Sequence, residues 1–170
     1  MVAAVMGLPG SGKTYFAREL ALKVNARHIS SDTVRFNLEK AGTYDEKSKF
    51  TVYEVMLELL EEAIKSRENV VLDATFYKEE LRQRFEAKAK QLNTPIYFIE
   101  VKAAEAVIKE RISKRRPDSE ADFQVYLKVK DSFDPVLVEH LTLHSDQQKL
   151  AEMLDQALIF INYDNARKGN

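Results

Sequence analysis

The sequence predicts a single α/β domain built on a mainly parallel sheet, and three observations carry that prediction. Short apolar runs alternate with amphipathic stretches along the whole chain, the pattern of strands joined by crossover helices. The run Ile96-Tyr97-Phe98-Ile99 is apolar at every position, as a parallel strand covered on both faces must be. The first apolar run, Met1 to Met6, breaks into a glycine-rich turn from which a helical pattern starts. At 170 residues the chain suits one sizeable core, since a domain takes roughly 100 to 200 residues.

The elements follow in order. After the turn Gly7 to Thr14, the residues Phe16, Leu20 and Val24 recur at helical spacing. A second strand is predicted at about Arg27 to Ser30, after which Asp32 is placed to cap a helix carrying Val34 and Leu38 and stopped by Gly42. Phe50, Tyr53, Leu57, Leu60 and Ile64 share one face of the next helix, with Glu54, Glu58, Glu61, Glu62 and Lys65 on its wet face. Val70-Val71-Leu72 predicts a buried strand ending at Asp73. Leu81, Phe85, Ala89 and Leu92 mark a helix that Pro95 ends as it opens the Ile96 strand. Ala104, Ile108 and Ile112 stripe a further helix terminated by Pro117. Residues Asp118 to Asp131 are helical in pattern but strongly charged, and Asp134-Pro135 break them before a last strand near Val138 to Leu143. Asp146 then caps a final helix through Leu150, Leu154, Leu158 and Ile161. Residues 1–163 make up the domain, with a lid over about 111–131, and 164–170 are a polar tail.

Composition excludes several classes of function. With 45% hydrophobic and 31% charged residues the chain is globular rather than disordered. Lys+Arg 26 against Asp+Glu 27 leaves no global positive field to hold a long duplex, so a nucleic-acid contact would be a local patch. The absence of cysteine removes disulfides and thiolate metal sites and suits the cytoplasm. No apolar stretch approaches the roughly 20 residues that span a bilayer, and neither a membrane segment nor a signal sequence is expected.

The chemistry is concentrated in Gly7-Leu8-Pro9-Gly10-Ser11-Gly12-Lys13-Thr14, which fits G-x-x-x-x-G-K-[ST] and lies between a buried strand and an amphipathic helix. Gly7, Gly10 and Gly12 allow successive N–H groups to turn inward, and the helix N-terminus adds partial positive charge, so phosphates can be cradled by backbone. Lys13 supplies a mobile charge to the β- and γ-phosphates of ATP, and Thr14 offers a hydroxyl to Mg²⁺. Pro9, Ser11 and Tyr15 complete the predicted nucleotide-binding set. A plain structural turn would not need Lys and Thr after its last glycine. Asp73, at the end of a neighbouring strand, is the second candidate metal residue, with a turn or cap role as the simpler alternative.

Ala74 follows Asp73, so the Asp-Glu pair that activates water in many motor ATPases is missing, as are the guanine-reading motifs. Transfer of the γ-phosphoryl group to an acceptor other than water remains. The segment after the second strand, Ser30-Ser31-Asp32-Thr33-Val34-Arg35, faces the phosphate site in a sheet of this kind. Asp32 is the candidate general base and Arg35, one turn on, orients the acceptor or neutralises its charge; capping alone is the alternative for Asp32. Arg115 and then Arg111 are the candidate phosphate-contacting arginines of the lid, although cations at a helix C-terminus also simply offset its dipole. His140 and His144 lack an acidic or thiol third ligand and are not expected to hold metal. Tyr44, Phe76 and Tyr77 are candidate acceptor-pocket residues, whereas Tyr53 reads as core.

The ordering GLPGSGKT, SSDTVR, VVLDATF and ERISKRR resembles the small P-loop kinases that include the kinase half of phage-type polynucleotide kinase, zeta toxins and chloramphenicol phosphotransferase, and within them the predicted-kinase branch. The resemblance runs from Val2 to about Ile161 and implies a P-loop NTPase three-layer α/β fold. That fold has a five-stranded parallel sheet between helices, a helical lid, and the phosphate-loop strand beside the Asp73 strand. It also implies that Asp32 serves as base with Arg35, and that a lid arginine contacts the nucleotide phosphates. The sequence departs from the phage-type enzyme in lacking an attached phosphatase domain and a marked basic tunnel, which weighs against a polynucleotide acceptor. The expected function is ATP- and Mg²⁺-dependent phosphorylation of a small-molecule hydroxyl acceptor, with no membrane and no obligate protein partner. The alternatives are a 5′-hydroxyl kinase of a nucleoside or oligonucleotide end, and a nucleotide-binding regulatory or toxin-like module.

Overall fold

The computed structural model describes residues 1–40, 48–114 and 123–168, with the side chains of 1–39, 51–114 and 123–162. Five strands, β1 (Val2–Met6), β2 (Ala26–Ser30), β3 (Asn69–Asp73), β4 (Ile96–Lys102) and β5 (His140–His144), form one sheet in the order β2-β3-β1-β4-β5. Every pairing is parallel. Seven helices are described: α1 (Lys13–Lys23), α2 (Ser31–Lys40), α3 (Ser48–Lys65), α4 (Glu79–Gln91), α5 (Glu105–Ser113), α6 (Phe123–Asp131) and α7 (Leu150–Lys168). None in the described residues is long and apolar enough to cross a membrane.

The central strand β1 is buried at every position, which is why it carries no polar residue. Its side chains alternate between two cores. Val2, Ala4 and Met6 join Val70, Leu72 and Phe98 under α3 and α4. Ala3 and Val5 join Val71, Tyr97 and Ile99 under α1 and α7. The predicted three-layer fold is therefore the one observed, with the phosphate-loop strand beside the Asp73 strand.

Local predictions fail where a polar residue has more than one possible use. Helix α2 starts at Ser31, so Asp32 lies inside its first turn rather than capping it. Asp146 does not cap α7: its Oδ2 accepts the N–H of Ala104 at 3.0 Å, the residue that precedes α5. Ala104 is accordingly exposed and outside the α5 stripe, of which Ile108 is the buried member. Helix α4 stops at Gln91, before Leu92, because Asn93 takes a positive φ of 49°. Helix α7 continues to Lys168, past the boundary at 163 that its apolar spacing implies; backbone hydrogen bonding needs no apolar face to extend it. Helix α5 ends at Ser113, and Gly42 and Pro117 lie outside the described residues.

Candidate active site

The carboxyl ends of the parallel strands converge on the turn after β1. Gly10 and Gly12 hold φ values of +78° and +92° there, a left-handed region that L side chains avoid. Space is tight as well: a Cβ on Gly10 would meet Ile112 Cγ1 at 2.9 Å, and one on Gly12 would meet Ser145 Oγ at 3.1 Å. The loop is thus backed from outside by α5 and by the residue following β5. Gly12 is the N-cap of α1 and supplies no side-chain cap, which leaves the first-turn N–H groups available to an anion.

Register places the acidic residue. Val5 pairs with Asp73 across β1 and β3, and Ser30 pairs with the same residue across β2 and β3. Asp73 is 1% exposed, and neither of its carboxylate oxygens has a hydrogen-bond partner among the described residues. His28 Nε2 stands 3.6 Å from Oδ2. Burial pushes the carboxyl up, but His28, Lys13 and Thr14 together outweigh burial and hold it below the ordinary carboxylate range. An ionised, buried and unsatisfied carboxylate beside Lys13 and Thr14 fits a hard cation that takes oxygen ligands.

A cavity of about 830 Å³ covers this edge of the sheet. Pro9, Gly10, Gly12, Lys13, Thr14 and Tyr15 line its floor. Asp32 and Arg35 of α2 line the same cavity, joined by an ion pair of 3.2 Å with Asp32 half exposed. The sequence-predicted loop, base and acceptor-orienting residues are therefore together, with Asp73 buried behind them.

Arg111 also reaches the loop, but from its carbonyl side. Its Nη1 donates to Ser145 Oγ at 2.8 Å and more weakly to the carbonyls of Gly10 and Ser11, and its Nη2 donates to the Ser145 carbonyl at 3.1 Å. Ser145 Oγ in turn donates to the Ser11 carbonyl. Arg115 and Tyr44 lie outside the described residues.

A family model described as an AAA domain matches residues 2–136. The chain belongs to this AAA-domain family. It is also 34% identical over 133 residues to the UPF0200 protein PAE1629 of Pyrobaculum aerophilum, a match covering 74% of this chain and 73% of that one. Among solved structures, a gluconokinase from Sinorhizobium meliloti 1021 superposes with a TM-score of 0.72 at 21% identity over 99% of this chain and 97% of its own. Chaetomium thermophilum Kti12, in complex with ADP-AlF3, gives 0.74 at 19% identity over 95% and 99%. These likenesses are of fold: a P-loop, kinase-like α/β architecture.

Two features of this AAA-domain chain escaped sequence reading. Val125, Lys128, Val129 and Ser132, spaced i, i+3, i+4 and i+7, bring α6 and the residue following it to the cavity wall; that spacing was the available signal, masked by the surrounding charge. Thr75 lines the cavity with Tyr77, whereas Phe76 between them is fully buried, contrary to its predicted place in the acceptor pocket. Phe76 has a positive φ of 48°, which turns its ring into the core against Phe85, at 5.0 Å between centroids. Its N–H donates to the Tyr53 hydroxyl at 3.1 Å, and burial pushes that phenol's pKa up. Its carbonyl accepts from Arg82 Nη1 at 2.8 Å. Arg82 is 0% exposed, and nothing in the helical pattern marks it as buried.

Proposed function

We propose that the protein is an ATP-dependent phosphotransferase that moves the γ-phosphoryl group to a hydroxyl of a small-molecule acceptor. One observation carries the reading: a carboxylate, Asp32, lines the same cavity as a phosphate-binding loop, while a second, Asp73, is buried behind Lys13 and Thr14. Two carboxylates in different surroundings can divide the work of metal binding and proton transfer.

The inward N–H groups of the loop and α1 hold the phosphates, and Lys13 brings its ammonium to the β- and γ-phosphates. Thr14 and Asp73 would hold Mg²⁺, which when bound offsets charge on the phosphate oxygens. Asp32 takes the proton of the acceptor hydroxyl. The freed oxygen bonds to the γ-phosphorus as the bond from that phosphorus to the β–γ bridging oxygen breaks, and ADP leaves. Arg35, paired to Asp32 at 3.2 Å, keeps the carboxylate oriented before the acceptor arrives. Arg111, bonded to loop carbonyls, acts by fixing the loop rather than by touching the phosphoryl group.

The test offers γ-labelled ATP with a panel of sugars, sugar acids, nucleosides, nucleotides and oligonucleotides to the wild-type protein and to Asp32→Asn. Labelled product is expected from one chemical class with wild type, at a rate about 10² to 10⁴ higher than with the variant, while both bind MgATP equally. Wild-type transfer by Asp32→Asn overturns the base assignment. Labelling confined to oligonucleotide ends would replace the small-molecule acceptor by a nucleic-acid one.

A further inference from the structure

We propose that the acceptor carries an oxyanion, a carboxylate or a phosphate monoester, and that Lys128 selects for it. This rests on the kinase reading above. The chain has a net charge of -1, yet among the described residues the cavity is lined by Lys13, Arg18, Arg35, Arg111, Lys114 and Lys128 against the single carboxylate of Asp32. A cleft of one sign concentrates ligands of the other.

The cations divide by what already engages them. Lys13 belongs to the phosphate loop. Arg111 is taken up by Ser145 and the loop carbonyls. Lys114 is paired with Glu110 at 2.6 Å. Arg35 and Asp32 balance one another at 3.2 Å. On α6 itself, Lys130 is bound to Glu105 at 2.5 Å. Lys128 makes no ion pair or side-chain hydrogen bond among the described residues. Arg18 is likewise engaged by other groups of the protein, which leaves Lys128, in the same cavity as Asp32, as the lining cation without such a partner among the described residues.

Its setting is not that of an arbitrary surface lysine. Lys128 is exposed, and Val125 and Val129 beside it on α6 line the same cavity, so an anion held in the cavity can reach its ammonium. The helix is anchored just beyond it. Ser132 N–H donates to the Lys128 carbonyl at 3.3 Å. Arg82 then holds the carbonyls of Asp134 and Pro135 at 3.2 and 2.6 Å, and Asp134 N–H donates to the Tyr77 carbonyl at 2.8 Å. The same clamp therefore fixes Lys128 relative to Thr75 and Tyr77, which line the cavity with it. The same cavity holds the carboxylate of Asp32, the proposed acceptor of the hydroxyl proton. A ligand that satisfies both presents a hydroxyl to Asp32 and an oxyanion to Lys128.

The experiment uses the full chain saturated with MgADP, which occupies the nucleotide site, and follows thermal stability as matched compounds are added: glycerol and glycerate, glucose, gluconate and glucose 6-phosphate, a nucleoside and its 3′-monophosphate. A compound bound to the folded state raises the midpoint with concentration. At least one anionic compound should raise it where its neutral counterpart does not, and carboxylate and phosphate compounds separate the two oxyanion sources. Lys128→Glu should weaken that anion at least tenfold, with MgADP affinity unchanged within twofold; Lys23→Glu, the same charge change outside the cavity, should leave both unchanged. The inference falls if no anionic compound binds the MgADP form, if neutral counterparts bind equally, or if Lys128→Glu binds the anion like wild type. Failure of wild type to bind MgADP would instead refute the kinase reading.

Discussion

Replacing Arg82 by methionine tests whether the wall of the cavity is held by a buried guanidinium. The side chain is 0% exposed and each of its nitrogens is engaged: Nε to Glu79 Oε2 at 2.8 Å, Nη1 to the Phe76 carbonyl at 2.8 Å, and Nη2 to the carbonyls of Asp134 and Pro135. Removing a buried ion pair altogether is often harmless, because both partners disappear together. Here three of the partners are backbone carbonyls, which no substitution at position 82 removes. Each acceptor left without a donor costs about 1–3 kcal/mol. Glu79 keeps a bond from Gln83 and some exposure, so its share is small, and methionine refills the space of the aliphatic stem. The Phe76 carbonyl is buried and carries the full cost, whereas Asp134 and Pro135 are partly exposed and water takes up part of theirs; with the released hold on the positive φ of Phe76 the loss is about 2–4 kcal/mol. For a domain of this size that is about a 6–12 °C fall in midpoint. Urea unfolding followed by circular dichroism, with the slope unchanged, measures it. Arg84→Met is the comparison, because Arg84 is 29% exposed and its partner Glu54 is 40% exposed; that pair should cost below about 1 kcal/mol. Equal losses from the two variants, or an Arg82→Met loss under about 1 kcal/mol, would refute the reasoning.

Asp73→Asn should raise the Mg²⁺ concentration needed for tight ADP binding by about tenfold or more and leave ADP affinity in chelator unchanged, since the amide keeps the shape and removes the charge; identical Mg²⁺ titrations would exclude the metal role. Arg111→Ala should lower nucleotide affinity through the loop it braces, and Ser145→Ala should do so in the same direction and non-additively with it, because both hold the Ser11 carbonyl. Strictly additive effects would show that the two act apart. Glu61, between Lys65 at 2.7 Å and Lys88 at 2.8 Å, is held down to about 2 by these ammonium groups. Its folded value lies below the ordinary 4.5, so the stability it contributes is complete above that range and is lost as pH falls toward 2. Glu61→Gln should therefore be less stable than wild type at neutral pH and converge with it in acid; a constant gap across a pH series of melting points would contradict this.

The phosphate loop, the strand ending in Asp73 and the Asp32–Arg35 element were legible because each is a contiguous run whose chemistry and local conformation are written together: glycines where φ is positive, an apolar strand before, a helix after. Strands β1, β3 and β4 were legible for the same reason, since burial on both faces leaves an apolar signature, whereas β5, a half-buried edge strand, runs His140–His144 rather than from Val138. What the sequence alone could not determine was which distant groups each polar side chain would meet. Arg111 reads as a phosphate ligand, yet it bonds carbonyls 100 and 101 residues away. Asp146 reads as the cap of its own helix and serves Ala104 instead. Phe76 reads as a pocket residue, and a positive φ turns it into the core. Arg82 looks like any helix-surface cation until residues 134 and 135 fold over it. Backbone conformation is set by near neighbours along the chain, whereas a hydrogen-bonding side chain has several partners of similar energy, and only packing of the whole domain decides which one is within reach.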